Sequence, residues 1–144
     1  MKYFSWPVRV YYEDTDSGGI VYYANYLKFF ERARTEWLRS FGLNQDKLEK
    51  EAGLIFVVRR ALLDFDRPAR LDDMLEVTVE PRKLARVYVD LVQQARRGEE
   101  RLARAEVRVA CLDKNDLKPA LMPPVLRRIA GSARVKAGIP LLWK

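Results

Sequence analysis

Glu13, Asp14 and Asp16 crowd one short stretch, and Gly18-Gly19 separates them from a long amphipathic run that starts near Tyr26. A carboxylate just ahead of a helix N-terminus faces unpaired backbone N–H groups and a partial positive charge, which can hold an anion or polarise a carbonyl oxygen. That pairing suits acyl transfer, with Asp16 as base or nucleophile and the first helical amides receiving the developing oxyanion. A carboxylate before Gly18 also serves as an ordinary turn or capping residue, so spacing leaves both roles open for Asp16. Strand alternation turns Glu13 away from the face of Tyr12, and Asp14 suits the satisfaction of turn amides. Tyr23 contributes through its backbone N–H, a role that needs no particular side chain, while the rings of Tyr22 and Tyr23 suit either packing or substrate contact. Gly18 and Gly19 permit close approach of a substrate or positive φ, and a plain turn would use them equally well.

The 144-residue chain contains no histidine. Ser-His-Asp and Cys-His nucleophile systems, imidazole bases and the common zinc constellations are therefore excluded, and acid–base work falls to Asp, Glu, Lys or Tyr. Cys111 is the single cysteine, so no intrachain disulfide is available. It shares an alternating face with Val107 and Val109, which reads as a buried structural thiol. The formal net charge of +7 favours an anionic partner. Basic residues are scattered among Asp and Glu rather than gathered in a stripe, which argues against nucleic acid. The first residues lack the apolar core of a signal peptide and no later run reaches the length of a membrane span, so a cytoplasmic protein is expected.

The elements that would position these groups follow from hydrophobic period. Val8, Val10 and Tyr12 alternate with Arg9, Tyr11 and Glu13, predicting a strand through that stretch. Tyr26, Phe30, Ala33, Trp37 and Phe41 recur at helical spacing, Glu31 falls on the opposite, polar face, and Gly42 supplies a stop. Asn44 caps a short second helix through about Ala52. Strands are predicted for Leu54 to about Phe65, Met74 to Glu80, Arg86 to Ala95 and Arg101 to Leu112, with Arg97-Gly98-Glu99-Glu100 short enough for a hairpin. Leu75, Val77 and Val79 alternate with Glu76, Thr78 and Glu80, and Val87, Val89 and Leu91 with Tyr88 and Asp90, the pattern of antiparallel meander strands with one covered face. The order implies a single α+β domain over residues 1–144, its sheet wrapped on the apolar side of one helix. Val125 to Ala130 suits a short helix, and the tail from about 125 onward is otherwise unassigned.

The segment from Trp6 to Arg39 resembles the YbgC-type acyl-CoA thioesterases of the hot-dog fold, which belong with the 4-hydroxybenzoyl-CoA thioesterases. The resemblance is carried by Trp6-Pro7-Val8-Arg9-Val10-Tyr11-Tyr12-Glu13-Asp14-Thr15-Asp16, by Gly18-Gly19 with Val21-Tyr22, and by Tyr26 with Glu31-Arg32-Ala33-Arg34-Thr35-Glu36. Phe56-Val57-Val58-Arg59 and Pro68-Ala69-Arg70-Leu71-Asp72-Asp73 extend it, and it reaches to about Pro123. It implies a curved antiparallel sheet around one long helix, assembled as a homodimer or homotetramer with acyl-CoA sites between subunits. It implies hydrolysis of acyl-CoA thioesters without metal or organic cofactor, with Asp16 as the essential carboxylate. Acyl carrier protein is a candidate partner on the same ground. Arg59, Arg82, Lys83 and Arg86 are then candidate ligands for the CoA phosphates. The YbgC branch usually has His where this chain has Tyr23, whereas the 4-hydroxybenzoyl-CoA enzymes have Tyr there. A tyrosine with an unperturbed pKa of about 10 donates a hydrogen bond near neutrality but is a poor base. A non-catalytic acyl-CoA or acyl-carrier-protein binding module is the alternative reading; a hot-dog dehydratase fits poorly without histidine.

Overall fold

A computed structural model describes residues 3–132, with side chains as far as residue 128. Five strands form one antiparallel sheet in the order β1-β3-β4-β5-β2: β1 is Phe4–Arg9, β2 Leu54–Phe65, β3 Met74–Leu84, β4 Tyr88–Arg97 and β5 Glu100–Asp113. The helices are α1 (Asn25–Arg39), α2 (Gln45–Ala52) and α3 (Pro124–Ser132). The residues fall into two compact units, one made of Met1–Trp37, Leu62–Glu80 and Val92–Ala105, the other of Leu38–Ala61, Pro81–Leu91 and Glu106–Lys144.

In the first unit β1 runs antiparallel to β3, with Trp6 opposite Val77 and Val8 opposite Leu75. The buried set Val8, Val10, Phe29, Phe30, Ala33, Leu75, Val77, Val79 and Leu102 supplies its apolar interior. Each Val, Leu or Phe side chain of this set contributes roughly 1.5–3 kcal/mol on burial. The apolar stripe of α1 holds as far as Trp37, which is buried. Fully buried Gln93 of β4 ties helix to sheet: its Nε2 donates to the Phe30 carbonyl at 3.0 Å and the Thr78 carbonyl at 3.3 Å, while its Oε1 accepts from Arg34 Nη1 at 3.0 Å. Every polar atom of that amide is engaged, as a buried amide requires. Burial lowers the Arg34 guanidinium to about 10, partly opposed by Glu31, so it stays charged near neutrality.

Two sequence expectations need correction. The first strand ends at Arg9, and Tyr12–Asp14 is a turn of 3-10 helix, because the Asp14 carboxylate accepts the Tyr11 amide at 2.8 Å and closes the chain on itself. Glu13 is therefore not a strand residue. The central strands are also covered on both faces rather than one: Thr78, Asp90, Gln93 and Glu106 are all buried, beside their apolar neighbours. Each has hydrogen-bonding or ionic partners that make its burial tolerable.

The helix ends follow the sequence. Past α1, Leu43 N donates to the Leu38 carbonyl and Gly42 N to that of Arg39, with Gly42 at φ 80°, a paired closure that glycine permits. This places Phe41 beyond the last turn rather than on the helical stripe. In the second unit the Asn44 side chain accepts Lys47 N at 3.1 Å and caps α2, as expected. The β4–β5 hairpin turns on Gly98-Glu99, with Gly98 at φ 61°. Cys111 is buried with Sγ 3.6 Å from the Leu121 carbonyl, and burial pushes its thiol up to about 11. The expected helix near Val125 is α3, and the tail beyond residue 132 lies outside the described residues.

Candidate active site

The acidic cluster and the start of α1 belong to one hydrogen-bonded loop in the first unit. Asp14 is only 4% exposed and works as a structural hub. Its carboxylate takes the Tyr11 amide, and its carbonyl takes Tyr22 N at 3.1 Å and Asn25 Nδ2 at 2.7 Å. Asn25 is the first residue of α1, so its amide couples the helix start directly to the acidic segment. Thr15 and Val21 form an antiparallel bridge that closes the loop between them.

Inside that loop Asp16 is exposed, unlike Asp14. Its backbone is held at both ends, N donating to the Ile20 carbonyl at 2.9 Å and O accepting Gly19 N at 3.0 Å. Its Oδ1 accepts Gly18 N at 2.8 Å. One carboxylate oxygen is thus fixed by a backbone donor, and the other is available to a water or substrate atom. Gly18 is a steric requirement: a Cβ there would lie 3.2 Å from Asp16 Oδ1. Gly19 is a conformational one, with φ 78°.

The N-terminus of α1 supplies backbone N–H groups at the other end of the loop. Asn25 N, Tyr26 N and Leu27 N already donate to the carbonyls of Tyr22, Tyr23 and Ala24. The Tyr23 amide precedes these and has no backbone acceptor among the described residues. It is the donor expected from the sequence. The rings of Tyr22 and Tyr23 are exposed and 4.9 Å apart, and their mutual hydrogen bond raises the Tyr22 hydroxyl further above its ordinary value. Tyr23 also meets Phe65 edge-on at 6.0 Å. The Tyr22 hydroxyl is therefore a protonated donor near neutrality rather than a base.

Two supports were not singled out by sequence. The Tyr26 hydroxyl, buried, accepts the Ala69 amide at 3.2 Å, and the Ala69 carbonyl accepts Val21 N at 2.8 Å. Ala69 thereby fastens the Asp16 loop to the helix. Burial raises the Tyr26 hydroxyl. Tyr26 was read as an apolar stripe residue and as part of the family resemblance, and Asn25 carried no assignment.

The cationic candidates lie in the second unit. Arg59 lines a cavity of about 270 Å³ together with Arg60, Tyr88 and Arg108. Lys83 does not line it, but its Nζ is 5.5 Å from the Tyr88 ring. Arg82 is half-buried, and Arg86 is exposed with its carbonyl accepting Met122 N at 2.8 Å. The structure groups Arg59 with Arg60 and Arg108, neither of which the sequence had brought forward. Among the described residues no cluster of His, Cys, Asp and Glu is arranged to hold a metal ion, and no helix is long and apolar enough to cross a membrane.

Comparison with known proteins agrees with this geometry. The family model for the thioesterase-like superfamily matches residues 10–129. The acyl-CoA thioesterase YbgC of Haemophilus influenzae is 47% identical over 120 residues, covering 83% of this chain and 88% of that protein. The acyl-CoA thioester hydrolase YbgC of Escherichia coli O6:H1 is 46% identical over 121 residues, covering 83% and 90%. The crystal structure of a 1,4-dihydroxy-2-naphthoyl-CoA thioesterase from Synechocystis superposes with a TM-score of 0.81 at 25% identity, covering 87% of this chain and 93% of that one. The architecture is that of the hot-dog thioesterases, and the chain belongs to the YbgC acyl-CoA thioesterase family of the thioesterase-like superfamily.

Proposed function

We propose that this protein hydrolyses acyl-CoA thioesters to a free acid and CoA, with Asp16 as general base and the Tyr23 amide as the oxyanion donor. The observation that carries the reading is the single hydrogen-bonded loop that presents an exposed, oriented Asp16 carboxylate and leads into the open amide end of α1. Asp16 takes a proton from a water as the water oxygen attacks the thioester carbon. The carbonyl oxygen gains the electron pair and is met by the Tyr23 N–H, where a fixed backbone dipole needs no reorganisation. Collapse of the tetrahedral species breaks the C–S bond and expels the CoA thiolate. The thiolate is a good leaving group near neutrality, so a site without imidazole suffices. The proton on Asp16 then passes to solvent or to the thiolate. Gly18 and Gly19 keep the loop low beside the reacting carbon, and Tyr22 flanks it.

Arg59, Arg82, Lys83 and Arg86 are the cations we assign to the CoA phosphates. We read residues 1–144 as one domain, supported by β2, β3, β4 and β5, each of which contributes residues to both compact units. We also propose a cytoplasmic homodimer or homotetramer. β2 is a twelve-residue strand at the sheet edge with Val58 and Phe65 exposed, and such an edge invites pairing. The test is thiol release from short, long and aromatic acyl-CoAs, and from acyl carrier protein thioesters, by the wild type and Asp16→Asn. Turnover by the wild type that Asp16→Asn lacks supports the reading; equal rates in a folded Asp16→Asn protein overturn it. Single turnover in ¹⁸O water separates the two chemical routes, because label returned to the Asp16 carboxylate would mark it as a nucleophile instead.

A further inference from the structure

The segment between β2 and β3 carries the Asp16 loop. Its first residues are tied to the sheet, the Asp66 and Arg67 amides both donating to the Leu102 carbonyl, at 2.8 and 3.1 Å. Pro68 has no N–H to add. Ala69 and Arg70 then do the carrying. The Ala69 carbonyl accepts Val21 N at 2.8 Å, and Arg70 forms an antiparallel bridge with Ile20, whose carbonyl accepts Asp16 N at 2.9 Å. The amides of both residues go to side chains, Ala69 N to the Tyr26 hydroxyl at 3.2 Å and Arg70 N to Oδ2 of Asp73 at 2.8 Å.

Asp73 joins this support to the sheet. The oxygen that accepts Arg70 N also accepts Arg97 Nη1 at 2.6 Å, and Arg97 is the last residue of β4. The other nitrogen of the same fork, Nη2, donates to Glu100 at the start of β5. One guanidinium thus straddles the β4–β5 hairpin and the segment that holds the loop, in a planar two-pronged geometry that lysine does not reproduce. The Arg97 and Asp73 side chains are 34% and 21% exposed, and an ion pair so placed adds little to global stability. Its effect is local. Contacts run from Arg97 to Asp73, from Asp73 to Arg70, from Arg70 to Ile20 and from Ile20 to Asp16 without a gap, all within the first unit. A supporting shell of this kind sets how closely a reacting group is held.

We propose that Asp73 and Arg97 are positioning residues for Asp16. Their ion pair fixes Arg70, and through Arg70 and Ile20 it fixes the backbone that presents the Asp16 carboxylate. The inference rests on the assignment of Asp16 as general base, and neither Asp73 nor Arg97 is given a contact with substrate. Loss of the pair therefore lowers kcat and leaves KM for acyl-CoA alone, because a group needed in the transition state is loosened while ground-state binding contacts are not.

The experiment is steady-state thiol release by Asp73→Asn, Arg97→Gln and the double variant of the full chain, with amide hydrogen exchange followed on the same proteins. Arg101→Gln is the control: it removes an ion pair of comparable exposure, to Asp66, at the end of the segment that the Leu102 carbonyl already holds. Each single variant should lose about tenfold in kcat with KM within about twofold. The double variant should lose no more than the worse single one, because the two residues act as a unit. Exchange at the Val21 and Asp16 amides should quicken about tenfold, while that at the Cys111 amide, which donates to the Val87 carbonyl, stays within about twofold. Arg101→Gln should stay within about twofold of the wild type throughout. Unchanged kcat in both single variants overturns the proposal, as does a rise in KM alone, equally quickened exchange at Cys111, or an equal effect of Arg101→Gln. A wild-type rate that Asp16→Asn does not lower overturns the base assignment instead, and exchange at Val21 then still decides whether the ion pair holds the loop.

Discussion

Gly18→Ala is the most discriminating perturbation of the Asp16 loop, because it moves the Asp16 carboxylate without removing any chemistry. A Cβ built at Gly18 lies 3.2 Å from Asp16 Oδ1, closer than ordinary van der Waals contact, so the carboxylate must give by a few tenths of an ångström. Gly18 itself is not at positive φ, so alanine introduces no backbone strain there. The bond from Gly18 N to Asp16 Oδ1, now 2.8 Å, lengthens or bends. Misplacement by about 1 Å costs on the order of 10²-fold in rate, so a few tenths should cost roughly three- to tenfold in kcat, with KM little changed. Stability should fall by less than about 1 kcal/mol, since the affected hydrogen bond is exposed. Gly19→Ala is the paired control. It meets nothing within 4 Å but must adopt φ 78°, so it should cost about 1 kcal/mol of stability without pressing on the carboxylate. Steady-state thiol release with parallel urea melts reads both. Full kcat in Gly18→Ala, or a greater kcat loss in Gly19→Ala than in Gly18→Ala, would refute the idea that the position of Oδ1 limits the chemistry.

Three further outcomes are expected. Asp16→Asn should lower kcat by about 10²–10⁴ while leaving binding of CoA, followed by calorimetry, nearly unchanged. Tyr26→Phe leaves the Ala69 amide without its acceptor inside a buried contact and should cost about 1–3 kcal/mol in urea denaturation, whereas a loss below 0.5 kcal/mol, within about the usual scatter of neutral substitutions, would show that Ala69 is held elsewhere. Cys111 titrates from an ordinary value of 9.0 up to about 11 in the folded chain, so the folded state favours the neutral thiol. Its contribution to stability is complete below about pH 9 and fades as pH rises toward 11, because the unfolded chain releases its proton first. The stability difference between wild type and Cys111→Ala should shrink over that window in pH-dependent melts, and a constant difference would place the thiol in a more polar setting.

The extent to which the fold was legible follows from how far each element depends on local pattern. α2 and the β4–β5 hairpin were readable because the residues that start and turn them, Asn44 and Gly98, act through their own backbone neighbourhood. The end of β1 was not. Val8 to Glu13 alternates as a strand should, yet the chain leaves the sheet after Arg9 because a side-chain acceptor three residues ahead, on Asp14, captures the Tyr11 amide. Such a local contact competes with the ladder and leaves the hydrophobic period intact, so period alone does not reveal it. Val10 illustrates the transition: outside the strand, its N and O still bond Asp73 O and Asp72 N, at 2.9 and 3.0 Å.

The same reasoning separates the two groups of candidate residues. Asp16, the glycine pair and the Tyr23 amide are neighbours along the chain, so a loop and a helix start suffice to bring them together, and sequence spacing carries the information. The cavity of Arg59, Arg60 and Arg108 depends on strands that are distant in sequence and adjacent only in the sheet, β2 lying next to β5 and β5 next to β4. In sequence, Asp90 falls on the polar half of an alternating strand, and Arg108 was not singled out. Their burial is tolerable only together. Removing Arg108 alone would strand a carboxylate that is 1% exposed, at a cost of about 3–5 kcal/mol, whereas exchanging both for apolar residues is expected to be close to neutral. An ion pair of that kind contributes little net stability to a sheet that could have used two aliphatic side chains.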